Sequence, residues 1–269
     1  MVVFCSPTVV EEIRRLGEVN LHMDGTFSVV PHIGDAHQLF IIHLRYRRTI
    51  FPILYVLMER RDRAAYNIIL RYLKEEVFER EIVVGSIMAD YERALRLAIM
   101  DTYPGTRIVG CWFHYAKAVY LRGRQLGLVG HLNVPNNIGQ GVRMAMVLPL
   151  LPQDNFAAGI EEVEAWMRNG VQGQEQMITA FVTYLRRQWT RANVSVFGEE
   201  MRTNNSVESF HNSLVRMIGR KHPNIWVFVT HLLNMENAKA SDLVRMTRGL
   251  QEPNTPRARY TRLNRRIGI

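Results

Sequence analysis

Two cysteines, Cys5 and Cys111, are all that the 269 residues contain. That is too few for a disulfide framework or a four-ligand cysteine zinc module, and a reducing compartment follows as the default. No apolar run approaches the ~20 residues of a membrane span, and the start MVVFCSPTVVEEIRR lacks a signal-peptide layout. The chain therefore reads as soluble and intracellular, with no membrane partner. There is no Walker-type phosphate loop, no H-E-x-x-H and no G-x-S-x-G element, so the common signatures of NTPases, zinc proteases and serine hydrolases are missing. Acidic residues are also in deficit, 25 against 34 Lys and Arg, for a net charge of +9. That balance favours polyanionic partners, nucleic acid first. What is plentiful is apolar material, 47% of residues, enough for a substantial core.

Pro7 to Leu16 reads as a short helix, and Val19, Leu21 and Met23 alternate with polar neighbours as in a strand that ends at Asp24. Gly25 to Val30 is expected to stay extended. After a turn at Pro31–Asp35, the runs Leu39–Leu44 and Ile50–Leu57 complete a three-strand antiparallel meander. Asp62 caps a helix carrying Tyr66, Ile69, Leu70, Leu73 and Val77 on one face. A buried strand, Ile82–Ala89, delivers Asp90, a helix follows over Glu92–Met100, and Arg107–Trp112 is a further strand. This is an α/β pattern with a mixed sheet.

Between Leu126 and Glu200 the strand signal vanishes, and Glu161–Met167 and Gln176–Trp189 look helical. Arg202-Thr203-Asn204-Asn205 then opens a helix with Val207, Phe210, Leu214 and Ile218 on one face, Asn204 and Asn205 acting as caps. A last apolar helix runs from Ile225 to about Asn237. The expected organisation is 1–125 as the first part of the core, 126–200 as a helical insertion, 201–240 as the closing helices and 241–269 as a loose basic tail. Trp112, Trp166, Trp189 and Trp226 lie in apolar-periodic segments and are expected in the core. Arg45-Tyr46-Arg47-Arg48, Arg60-Arg61 and the tail are the first places to look for phosphate contacts.

Asp24 and Asp90 each fall where a buried strand ends, the edge at which α/β sheets bind ligands. Glu208 opens a helix able to lie across that edge. Three hard carboxylate donors suit Mg2+ or Mn2+, and a two-metal site on a phosphodiester needs such donors to balance its charge.

Met23-Asp24-Gly25-Thr26-Phe27, Ala89-Asp90-Tyr91-Glu92-Arg93-Ala94, Gly110-Cys111-Trp112-Phe113-His114 and Arg202 through His211 resemble, in order, the successive motifs of Mutator-like (MULE) transposases. The resemblance implies a DDE-type catalytic domain with an RNase H-like fold, in which Asp24, Asp90 and Glu208 hold two Mg2+ or Mn2+ ions. It implies cleavage of DNA at an element end, strand transfer to target DNA, nuclear residence and a synaptic dimer. His211, one turn from Glu208, either touches a phosphate, orients Glu208 or satisfies a buried hydrogen bond. Cys111 and His114 form the family's C-x-x-H pair, read as structural or substrate-orienting because a zinc half-site lacks further ligands here. Family members usually carry a DNA-binding segment ahead of the core, so the chain also reads as a fragment or a domesticated copy that needs a separate DNA-binding segment or protein. The competing readings are a non-catalytic DNA-binding or transcription-regulating remnant and a free-standing RNase H-like nuclease.

Overall fold

The computed structural model of the chain describes residues 1–133, 136–169, 172–190, 193–220 and 222–252. The basic stretch from Arg257 onward, expected to contact phosphate, lies outside the described residues.

The chain opens with strand β1 (Val2–Cys5) and helix α1 (Pro7–Leu16). Ser6 caps α1 by accepting a hydrogen bond from the Val9 amide at 3.3 Å, and Gly17, at φ 70°, closes it. Strands β2 (Glu18–Thr26), β3 (Gln38–Tyr46) and β4 (Thr49–Met58) follow. Asp62 accepts from the Ala65 amide and starts α2 (Arg63–Tyr72), which continues as one π-helical turn, Leu73–Val77. Strand β5 (Val83–Ala89), α3 (Arg93–Thr102) and β6 (Arg107–Gly110) complete the sheet. Helices α4 (Trp112–Gln125), α5 (Asn137–Val147), α6 (Phe156–Arg168), α7 (Glu175–Trp189), α8 (Asn205–Ile218) and α9 (Ile225–Thr247) make up the remainder.

The six strands form one mixed sheet in the order β1-β4-β3-β2-β5-β6, with β2, β3 and β4 as the antiparallel meander and β5 parallel to β2. This is the expected RNase H-like layout, with flanking helices. Strand β1 adds to the free side of β4; four residues are too short to display an alternation, so it left no sequence signal.

The described residues divide into two compact units: 1–108 with 204–252, and 109–203. In the first, Val19, Leu21, Met23, Phe40, Ile42 and Leu44 share a core with Tyr66, Ile69 and Leu70 of α2 and Leu95, Ala98 and Ile99 of α3. Strand residues alternate faces, so His22, Asp24, Ile41 and His43 belong to the opposite face, and α8 packs against β2 and β4. The β3 and β4 strands are buried almost throughout, as strands covered on both faces are. The second unit is helical. Tyr115 donates to the Ala145 carbonyl at 3.0 Å and meets Trp189 edge-on at 4.9 Å. A Cβ on Gly141 would lie 2.1 Å from Met167 Cγ, so α5 and α6 approach through a residue without a side chain.

Several expectations need correction. Strand β2 runs past Asp24 to Thr26 because β3 pairs with it that far, and residues 27–30 then bend and turn rather than stay extended. Strand β6 ends at Gly110, and Trp112 begins α4. Helix α5 was hidden by Gly139 and Gly141, whose low helix propensity masked a segment that tertiary packing stabilises. Helix α9 reaches Thr247, through residues expected to open a loose tail, because Ala240, Leu243 and Met246 are buried in the first unit's core. Trp189 is buried as expected, but Trp166 and Trp226 are exposed, Trp226 to 76%.

Candidate active site

Asp24 and Asp90 reach the same sheet edge by register. The last β2–β5 pair is His22 with Met88, so each aspartate lies two residues beyond it, on neighbouring strands about 4.8 Å apart. One oxygen of each carboxylate is already held by backbone: the Gly25 amide donates to Asp24 Oδ1 and the Glu92 amide to Asp90 Oδ1, both at 2.9 Å. That leaves a second oxygen on each side chain for a ligand.

Glu208 comes from the first turn of α8, where the Glu208 amide donates to the Asn204 carbonyl at 2.8 Å. A carboxylate there is favoured by the helix's positive end. Val207, Phe210 and Leu214 bury one side of α8, with Phe210 against the rings of His43 and Tyr55. Docking of that apolar side fixes where Glu208 stands.

Burial pushes the Asp24 carboxyl up to about 7; the Gly25 amide opposes this, and the charges of Asp90 and Glu208 add to it. Asp90 and Glu208 thus both act on Asp24 electrostatically, although 184 residues (208 − 24) separate Glu208 from Asp24 in the chain. His211, a turn along α8, places Nδ1 3.9 Å from Asp24 Oδ2. That distance would make an ion pair only with a protonated ring, and burial pulls the imidazole down to about 4. At neutral pH His211 is therefore a neutral neighbour of Asp24, and 3.9 Å is too long for a hydrogen bond.

A buried polar layer beneath the acids escaped the sequence reading. His22 is held down to about 3 by burial, then by the Arg45 charge, with a side-chain hydrogen bond to Asn204 acting the other way. Asn204, expected as a helix cap, makes no side-chain cap bond and is fully buried. His43, the register partner of His22, is fully buried as well. His22 was findable from its position two residues before Asp24, on the same face; His43 needed the pairing register.

His114 sits in the first turn of α4, in the second unit, beside the Phe113 ring. Cys111 is fully buried at the N-cap of the same helix. The expected arginine contacts are partly occupied: Arg60 pairs with Asp62 and Arg61 with Glu92. Arg47 sits in the β3–β4 turn at φ 53°.

The donor set is three carboxylates, the right kind for Mg2+ or Mn2+, and their mutual repulsion at Asp24 is what a cation would relieve. Among the described residues, no three His, Cys, Asp or Glu side chains stand in a ready-made metal-holding arrangement. The residues suit the ion in chemistry and neighbourhood, without a preassembled ligand shell.

Comparison with known proteins bears on the same stretch. Residues 20–118 match the family model of the MULE transposase domain. The MULE match includes Asp24, Asp90, Cys111 and His114 and ends before Glu208 and His211. Among solved structures, the chain is similar to the Drosophila P element transposase strand transfer complex, with 11% identity, 87% of this chain and 78% of that chain covered, and a TM-score of 0.42. No curated protein matches the chain. No helix among the described residues is long and apolar enough to cross a membrane.

Proposed function

We infer that the first unit is a metal-dependent DNA strand-cleaving and strand-transferring domain of the DDE type, with Asp24, Asp90 and Glu208 as its metal-holding acids. The single observation that carries this reading is the β2–β5 register that sets Asp24 and Asp90 level, with Glu208 on α8 near enough for its charge to reach the buried Asp24 carboxyl. Buried like charges are costly unless something compensates them, and a divalent cation is the compensation that also serves phosphodiester chemistry.

When bound, the metal pair would activate an attacking water or 3′-hydroxyl and stabilise the leaving oxygen. The protein's own contribution is positional. The Gly25 and Glu92 amides each fix one carboxylate oxygen, and α8 carries Glu208 and His211 to the same edge. His211, uncharged at neutral pH, stands beside Asp24 and adds no competing positive charge. DNA ends and target DNA are the proposed substrates, a synaptic dimer the proposed working form, and the nucleus its proposed location.

The test is cleavage of labelled DNA with Mg2+ or Mn2+, beside Asp90→Ala and Glu208→Gln. Cutting by the unaltered protein and background levels from both variants is the expected result. DNA binding by all three proteins with cleavage by none would favour the non-catalytic remnant. Cleavage that survives both substitutions would show that the acids are misassigned, and cleavage without strand transfer would point to a free-standing nuclease.

A further inference from the structure

Each of the two strand-borne aspartates is followed by an aromatic residue with an arginine stacked on it. Phe27, three residues after Asp24, is 48% exposed and has the Arg61 guanidinium 5.0 Å over its ring centroid. Tyr91, next to Asp90, has the Arg96 guanidinium at 4.8 Å. Arg61 is anchored from the other side by Glu92 at 2.8 Å, whose carboxylate also accepts from the Tyr66 hydroxyl at 3.2 Å. The Glu92 amide in turn holds Asp90. A chain of contacts therefore runs from Phe27 through Arg61 and Glu92 to Asp90, joining the loops after β2, β4 and β5 around both acids.

An apolar ring left half in water next to a candidate phosphodiester-cutting site calls for an explanation, since Thr26 before it and Val29 and Val30 after it are buried. The arginine narrows the choice of ligand. A guanidinium fixed in place by a carboxylate is preorganised for phosphate and stacks on flat rings, and an aromatic face takes any nucleobase without regard to sequence.

We propose that Phe27 and Arg61 form a subsite for one unpaired nucleotide beside the scissile phosphate, Phe27 stacking on the base and the Arg61 guanidinium, held by Glu92, donating hydrogen bonds to its phosphate. The subsite rests on the DNA-cutting reading and deepens it by naming the substrate state. A base inside a duplex has both faces covered by its neighbours and must leave the stack to be bound. The subsite therefore selects frayed, flipped or overhanging DNA over intact duplex.

The experiment uses the full chain in EDTA, a blunt duplex and the same duplex with a short 3′ overhang carrying 2-aminopurine. The unaltered protein should bind the overhang more tightly than the blunt DNA and change the 2-aminopurine fluorescence. Phe27→Ala should lose roughly 5- to 150-fold of affinity for the overhang, the range that one stacked base contributes, with the blunt duplex unaffected. Phe27→Trp should keep the preference, and an unchanged circular-dichroism melt would show that Phe27→Ala is folded. No preference in the unaltered protein, or the same preference and fluorescence change in Phe27→Ala, would overturn the subsite. A Phe27-dependent preference in a protein that cuts nothing would sink the catalytic reading alone. Cleavage by a protein whose Phe27→Ala variant keeps the preference would sink the subsite alone.

Discussion

His43→Phe should stabilise the protein more at acid pH than at neutral pH. The imidazole is fully enclosed on β3, edge-on to Phe210 with ring centroids 5.1 Å apart. Neither of its nitrogens has a well-formed hydrogen-bond partner among the described residues, although the His22 backbone lies near enough to favour the charged ring against the effect of burial. Burial holds its pKa well below the ordinary 6.5, and His211 and His22 act in the same direction. Below pH 6.5 the unfolded chain therefore binds a proton at this position that the folded chain refuses. The stability tied to His43 is complete above that pH and is lost as pH falls. One such group costs about 1.4 kcal/mol per pH unit once the unfolded form is fully protonated. Integrated from pH 7.5 to 5.5, the loss is also about 1.4 kcal/mol, because the unfolded histidine titrates at the middle of that interval.

Phenylalanine keeps the ring and removes both the proton site and two buried polar atoms. Each such atom costs about 1–3 kcal/mol when unsatisfied, partly offset here by a slightly larger ring in a packed site. At pH 7.5 the variant should match or exceed the unaltered protein by up to about 2 kcal/mol. By pH 5.5 the gap should have grown by the further 1.4 kcal/mol. His22 and Asp24 titrate in both proteins and cancel in the difference. Urea unfolding in EDTA at the two pH values measures it; stability curves that run parallel across this range would refute the account of His43 as a buried neutral group.

Other outcomes follow from single contacts. Gly25→Ala would place a Cβ 1.7 Å from the Nε2 of buried Gln38, so it should destabilise by about 1–3 kcal/mol. Adding Gln38→Ala should recover most of that, read as a coupling of about 1 kcal/mol or more in a denaturation double-mutant cycle. Ser6→Ala removes the cap of α1 and a hydrogen bond donated to Glu236 on α9. It should cost about 1–2 kcal/mol, with Ser6→Thr retaining most of the stability in thermal melts.

The elements around the candidate site were legible wherever a long periodic segment met clear punctuation. Asp62 before α2 is a short-range signal, because a cap bonds within three residues of its own position. Of the three meander strands, β2 declared itself by the alternation of Val19, Leu21 and Met23 with polar neighbours, and β3 and β4 by continuous apolar runs between turns. Strand β1, helix α5 and the second half of α9 did not. The first is stabilised by pairing with a distant strand, the second by a close approach of α5 to Met167, and the third by burial in the core; none of these partners is adjacent in sequence.

The order of Asp24, Asp90 and Glu208 along the chain, the place of Asp90 just after a strand and that of Glu208 in a helix's first turn came from the sequence alone, since capping and periodicity are local properties. Only the tertiary structure decided that β5 pairs in parallel with β2 in a register that sets the aspartates level, and that α8 docks its apolar side so that Glu208 comes close enough to be felt at Asp24. The same packing enclosed His22, His43 and Asn204 beneath the acids and left Phe27 in the open beside Arg61. Such placements depend on long-range pairing and burial, energies that arise only when distant segments meet.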